Sequence, residues 1–418
     1  MLLVAFISPK EISSLKGLIA NIKTKDIGGG TVAFACTAPT TPSGELHDPA
    51  AEEKPHSSAR VYTGLFVRHW DAYVGENKSA VWYGALGRKE GGGGGYELRE
   101  PGLVNALAGT RLECPVPNFG GAGDYDIGPA GLVFLSKDPD LNPALFTKTD
   151  LYYVPLRTFT EAEPPAPQVV RTGALQGYAG NPVFSHDGRR VAFKRMRSRQ
   201  YESDKWRLLL LPDVADLSNV QEFYGTGDGG DGGWDLRPEA VVWSRDDREL
   251  YVTAEKEGRV LVFGLPSDPR EAEARGLPRQ LTSKGSVGNL FTLASADGAG
   301  AAAEAKLLLS TSSLVESSAY TVLDPRSGGD GALAEPAVVS SSAKGGKSFG
   351  LSPDQVDGFW FDGAGRGYKC HALVMKPSAF DPAKKYPLAF LIHGGPQGAW
   401  GESWYVRDLC PSPPPPST

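Results

Sequence analysis

The chain has 418 residues, 40% hydrophobic and 22% charged, with 52 glycines and 33 prolines. Its net charge is −6, and no Lys/Arg tract rises above that background, which argues against a nucleic-acid binder. No apolar run reaches the roughly 18 residues of a membrane span, and abundant Gly and Pro point to a turn-rich β protein.

At the N-terminus, Met1–Lys10 has a short apolar run with no basic residue before it, a poor signal peptide, so the chain as it stands reads as cytoplasmic. The first strand pattern is Asp26-Ile-Gly-Gly-Gly-Thr-Val-Ala-Phe34. Polar, proline-bearing Pro39–Ser58 reads as an excursion. Arg68-His69-Trp70-Asp71 follows an apolar triplet and suits a blade strand. Its end either faces a substrate pocket, with Arg68, Trp70 and Asp71 holding a peptide, or carries only an internal Arg–Asp pair. Asn77-Lys78-Ser79 is a glycosylation sequon of a kind common by chance. Gly91–Gly95 is a glycine loop.

The centre of the chain repeats. Asn181-Pro-Val-Phe-Ser-His-Asp-Gly-Arg-Arg-Val-Ala-Phe193 reads as strand, tight turn, strand, and Ala240–Val252 repeats it with Asp246-Asp247 at the turn. Ser185 and Ser244 are 59 residues apart. The same interval reaches back from Phe193 to Phe134 and forward from Val252 to Thr311, beside the run Leu307–Leu309. Equivalent strands are therefore expected at 131–135, 190–194, 249–254 and 306–310. Third strands follow at Tyr152, Trp206, Arg259 and Ala319. A four-stranded sheet cannot cover both its faces alone, so stacked copies predict an all-β propeller of about seven blades. Its N-terminal part is expected to be incomplete.

Asp246-Asp247 resembles an acid/base carboxylate pair, but its place at a hairpin turn assigns it local backbone hydrogen bonds. Lys194–Arg199, the densest basic stretch, reads as a solvated strand end and hairpin. Gly225–Gly233, Gly298–Ala305 and Ser340–Lys347 read as mobile loops. Gly227–Gly233 lacks the Gly-Lys-Ser/Thr ending of a phosphate loop. Cys36, Cys114, Cys370 and Cys410 include no Cys-x-x-Cys pair, so no metal site is expected, and their disulfide state stays open.

The expected domains are a propeller over 1–355, a short segment over 356–404, and a Pro-rich tail over 405–418. In the second, Tyr386–His393 is an apolar run of the kind buried on both faces of a parallel sheet, so a strand is expected at 386–393.

Two segments together carry a resemblance. Ser185-His-Asp-Gly resembles the repeat of TolB-like propellers. Phe359-Trp-Phe-Asp-Gly, Leu373-Val-Met-Lys-Pro377 and Pro387–Pro396 resemble the propeller-to-hydrolase junction of the prolyl oligopeptidase family. Ala59–Asp71 and Phe390-Leu-Ile-His-Gly-Gly-Pro-Gln-Gly-Ala-Trp-Gly401 place the likeness nearest its fungal dipeptidyl-peptidase V and acylaminoacyl-peptidase members. The resemblance implies a propeller capping an α/β-hydrolase that cleaves peptides with a Ser/His/Asp triad and no cofactor, and makes 356–404 the start of that hydrolase domain, only its first strands. It makes Gly394 and Gly395 the oxyanion loop, and gives His393 the role of fixing that loop.

The sequence departs from that pattern after His393. No Gly-x-Ser-x-Gly and no further histidine follow, and only 22 residues remain after Pro396, whereas a hydrolase domain needs on the order of 200 more. The catalytic nucleophile, acid and base are thus expected to be absent, and 405–418 is expected to be foreign to the family. Three readings remain: a fragment of a serine exopeptidase, inactive as given; a non-catalytic propeller binding peptides or proteins; and an enzyme with an unrecognised site.

Overall fold

The structure is a computed structural model. It describes residues 11–52, 56–69, 71–89, 95–200, 203–225, 233–293, 306–327, 333, 335–365, 367–394 and 398–404. The chain forms two compact units, Met1–Glu222 and Phe223–Thr418.

The first unit carries three antiparallel blades. Blade one contains β1 (Ala20–Asp26) and β2 (Thr31–Thr40). The chain then leaves it for a small hairpin of β3 (Arg68–His69) and β4 (Ala72–Tyr73). It returns through β5 (Lys78–Arg88), β6 (Tyr96–Leu98) and β7 (Val104–Asn105). Blade two is the meander β8 (Tyr125–Gly128), β9 (Gly131–Lys137), β10 (Thr149–Pro155) and β11 (Gln168–Val169). Blade three is β12 (Ala179–Phe184), β13 (Val191–Arg195), β14 (Arg207–Leu211) and β15 (Gln221–Glu222).

The second unit carries two more. Blade four is β16 (Pro238–Trp243), β17 (Glu249–Lys256), β18 (Arg259–Pro266) and β19 (Arg279–Gln280), with the short helix α1 (Pro269–Arg275) before its last strand. Blade five is β20 (Ser286–Thr292), β21 (Leu307–Ser312), β22 (Ala319–Leu323) and β23 (Ala337–Ser341). A separate hairpin pairs β24 (Val356–Asp362) with β25 (Lys369–Met375).

The four strands expected at equivalent positions are β9, β13, β17 and β21, each the second strand of its own blade. The blade count differs from expectation: the described residues form five such sheets, not seven. Between the last blade and residue 404 the only strands among the described residues are those of the β24–β25 hairpin.

The repeat rests on one turn. Ser185 Oγ hydrogen-bonds Asp187 Oδ1 at 2.5 Å, and Arg190 N donates to Ser185 Oγ at 3.0 Å. Asp187 Oδ1 accepts from Arg189 N at 3.0 Å. Blade four repeats the set with Ser244 Oγ on Asp246 Oδ1 at 2.7 Å, Glu249 N on Ser244 Oγ, and Arg248 N on Asp246 Oδ1. Gly188 (φ +73°) and Asp247 (φ +58°) take the left-handed position that each turn requires.

Within the first unit, the first strands of the blades lie side by side. Asp126 of β8 joins them: its Oδ2 accepts Phe184 N of β12 at 2.8 Å, and its Oδ1 meets Lys23 Nζ of β1 at 3.4 Å. β9 is buried on both faces. Leu132 and Phe134 enter the core shared with blade one, and Val133 and Leu135 the core shared with blade three. In the second unit, Tyr251, Val262 and Leu281 of blade four pack against Leu290, Leu307, Leu309 and Leu323 of blade five.

Three local expectations fail. Residues 386–394 form no strand and lie exposed, with Leu388 84% and Ile392 77% accessible. A strand is a property of a pair. β25 has taken β24 as its partner, and Pro387 brings no N–H to a ladder. Arg68–His69 pairs in the β3–β4 hairpin rather than in a blade. Lys194 and Arg195 are not a solvated strand end. Both are buried in β13, and Arg195 donates to Asp150 Oδ1 at 2.8 Å beside Lys148, which bridges Asp138 and Asp150.

Gly188 joins the repeat turn to its neighbouring blade, since a Cβ there would lie 2.6 Å from Pro129 Cδ. Gly188→Ala combines that clash with a strained φ, so it should cost about 2 kcal/mol or more. Urea unfolding should show the midpoint falling well below that of Gly109→Ala, where φ is also positive but nothing lies within 4 Å of the new Cβ.

Candidate functional site

The loop implied to hold the oxyanion begins at His393. Its ring stands edge-on to Trp400, with centroids 5.3 Å apart. Gly398 makes that approach possible, because a Cβ there would lie 2.6 Å from His393 Cε1. Gly394 is exposed, with open space around its Cα, so its backbone is accessible to a substrate. Gly395 lies outside the described residues. Such a loop can offer an N–H to a developing oxyanion but cannot break a bond alone. The His393 ring makes its recorded aromatic contact with Trp400.

Arg68 and Asp71 are exposed on the β3–β4 hairpin, and Trp70 lies outside the described residues. His69 meets Phe66 at 6.0 Å and Phe119 at 5.1 Å, both edge-on. Lys137 Nζ sits 5.9 Å from the Phe66 ring centre, and Asn118 Nδ2 donates to His69 O at 3.2 Å. The loop beneath is fixed by buried Asp124, which accepts Val116 N at 2.8 Å. Burial raises the Asp124 pKa against the opposing pull of the Val116 and Gly121 N–H groups and of Lys23. The result is a shelf of aromatic edges beside a basic group.

Asp246 confirms its turn role. Burial would raise its pKa, but the Ser244 hydroxyl and Arg248 N–H hold it below the usual value. A carboxylate so held stays ionised and is no general acid. Cys36 and Cys114 are free and buried, Cys370 is free and half-buried, and Cys410 lies outside the described residues. Among the described residues no cluster of metal-ligating side chains occurs.

One motif was missed. Gly-x-Ser-x-Gly does occur upstream, as Gly346-Lys347-Ser348-Phe349-Gly350. β23 runs into left-handed Lys344, Gly345 and Gly346, then into a single 3₁₀ turn over Lys347–Phe349. That outline copies strand–elbow–helix, but one turn of helix carries little dipole to stabilise an oxyanion. The described ring contacts of His69, His371 and His393 are to Phe66, Phe119, Trp360 and Trp400, not to this turn.

The Ser340–Lys347 stretch is held rather than mobile. Glu316, between β21 and β22, accepts Ser341 Oγ at 2.5 Å, Ala343 N at 2.8 Å and Gly345 N at 2.8 Å. The sequence signal was a single Glu in a serine-rich turn, too common to single out.

Comparison with known proteins decides the family. No family model matches the chain. Dipeptidyl-peptidase 5 of Trichophyton equinum is 35% identical over 403 residues, covering 95% of this chain and 51% of the relative. Dipeptidyl-peptidase 5 of Arthroderma otae is 36% identical over 385 residues, 91% of this chain and 49% of the relative. The chain belongs to the dipeptidyl-peptidase 5 branch of the prolyl oligopeptidase family. It spans about half the length of the curated relatives it matches. For the fold, the Pyrococcus horikoshii acylaminoacyl peptidase superposes with a TM-score of 0.57 at 12% identity, over 95% of this chain and 49% of that one. An acylaminoacyl peptidase bound to Z-Gly-Gly-Phe-chloromethyl ketone gives 0.53 at 13% identity, over 89% and 46%.

Glu316 gives this branch member a measurable acid limb. Burial raises its pKa, but the Ser341 hydroxyl and the Ala343 and Gly345 N–H groups outweigh it and hold the carboxyl below its ordinary value. A folded pKa below the unfolded one adds stability that is complete above the unfolded pKa, about 4.3, and is lost as pH falls through the folded value. Glu316→Gln should therefore lose about 1–2 kcal/mol at pH 7 and flatten the acid decline below pH 5. Thermal unfolding from pH 3 to 7 checks both, and parallel curves for the two proteins would contradict the assignment.

Proposed function

We propose that this chain is the propeller, with the start of the catalytic domain over 356–404, of a dipeptidyl-peptidase 5-type serine exopeptidase. About seven blades would enclose the route by which a peptide reaches the active site, limiting access to short or unfolded chains. Gly394 and Gly395 would supply backbone N–H groups to the oxyanion, and Arg68, Trp70 and Asp71 would contact the substrate. No metal or cofactor takes part in this reading. The observation that carries it is 35% identity over 95% of the chain, joined to an exposed Gly394 beside a pinned His393.

These 418 residues on their own are proposed to be inactive, because among the described residues no serine is recorded with both an elbow and a histidine base. A second reading, a propeller that binds peptides without cleaving them, is favoured by exposed Phe119 beside half-buried His69 and Phe66.

The purified chain should release no chromophore from dipeptidyl or acylaminoacyl substrates and should not label with a fluorophosphonate probe. Labelling abolished by Ser348→Ala would show that the Gly346–Gly350 turn acts as a nucleophile elbow and would overturn the proposed inactivity. An inactive chain that still binds short peptides, with binding lost in Phe119→Ala, would favour the second reading.

A further inference from the structure

Residues 400–402 are fastened to blade four by a charged contact. The β17–β18 hairpin turns through Glu257 (φ +53°) and Gly258 (φ +74°), both left-handed. Residues 400–402 lie on that turn. Glu402 N donates to Gly258 O at 2.5 Å, and the Glu402 carboxylate pairs with Arg259 Nε. Gly258 permits the approach, because a Cβ there would lie 3.3 Å from Leu373 Cδ1 and 3.5 Å from the Trp400 carbonyl oxygen. Glu402 is only 8% exposed although it lies outside every strand. A carboxylate so enclosed is costly unless paired, and its partner is an arginine at the start of β18.

From this anchor the contacts run directly to the loop. Trp400, two residues before Glu402, meets the His393 ring, and His393 precedes Gly394. Phe349 packs on Trp404 at 5.4 Å and holds the far end of the segment.

We propose that Arg259 is a positioning residue for the Gly394 loop. By holding Glu402 it sets the place of Trp400, and through the His393 ring the direction of the Gly394 backbone. A propeller blade would thus orient a donor that serves chemistry on the peptidase side. The functional part of this proposal rests on the exopeptidase reading of the loop. The mechanical part does not.

The test needs no hydrolysis, so a failure of the exopeptidase reading leaves it intact. Hydrogen exchange on the 418-residue chain should show residues 398–404 exchanging about tenfold faster or more in Arg259→Ala and in Glu402→Gln, with β17 and β20 unchanged. The charge swap Arg259→Glu with Glu402→Arg should restore slow exchange, and Arg259→Lys should fall between. The His393 ring-proton resonance, shifted by the Trp400 ring, should move toward its solvent-exposed value in Glu402→Gln and return in the swap. Unchanged exchange in the single variants would overturn the anchor. Faster exchange with an unmoved His393 resonance would reduce it to a tether and overturn the positioning role. Glu402→Gln lies outside all strands, so it carries the test should Arg259→Ala unfold its hairpin.

Discussion

A sheet with two apolar faces is stable only when another sheet covers each of them, and this requirement governs the chain. β9 states it most simply. Its alternate residues supply two different cores, Leu132 and Phe134 on one side and Val133 and Leu135 on the other. A side chain that switched faces would place one core's volume in the other, so register cannot slip. The continuous apolar run that makes β9 hard to distinguish from a core helix by periodicity alone follows from this double burial.

Covering both faces demands that neighbouring sheets hold a fixed distance and angle, and polar contacts set them. Asp126 touches the first strands of the blades on either side through Lys23 and Phe184 N. Gly128 and Gly188 let the adjoining turns close, since a Cβ at Gly128 would meet Phe184 at 2.8 Å and one at Gly188 would meet Pro129. The Ser-x-Asp turn therefore does more than reverse the chain. It delivers the first strand of blades three and four at a fixed register to the second, and in blade three Gly188 packs it against the neighbouring blade.

This explains what could be read in the sequence. The Ser185 and Ser244 turns are encoded within six residues and need no distant partner, so the blade repeat and its second strands were legible. The junction of 356–404 was legible as a motif, His393-Gly394 above all, and wrong as secondary structure, because a strand at 386–393 needs partners that β25 does not provide. Lys194 and Arg195 looked solvated because charge is ordinarily exposed. Their burial depends on Asp150, 45 residues away, for Arg195. Glu316 and the Ser340–Lys347 loop fail in the same way, a low-complexity stretch ordered by one carboxylate from another turn. Gly346–Gly350 carries its Gly-x-Ser-x-Gly pattern within a stretch rich in serine and glycine, where such a match arises easily by chance.

The same covering rule bears on blade five and on β24. In blade five, Leu290, Leu307, Leu309 and Leu323 face blade four. On the opposite face, Phe291 pairs across to Leu308 and then Val322 in one row, and Tyr320 stands in the next. Phe291 is 52% exposed and Tyr320 47%, values far above those of their counterparts in β9. β24 exposes Phe359, Trp360 and Phe361 as well. Apolar rows of this size on an exposed sheet face are unusual. On blade five this face lies opposite the one that packs on blade four. For β24 the aromatic side chains alternate across both faces of a two-stranded ribbon, a form stable only when further strands or helices pack on it. The two surfaces thus differ in kind, one a single face of a four-stranded blade and the other both faces of a two-stranded ribbon.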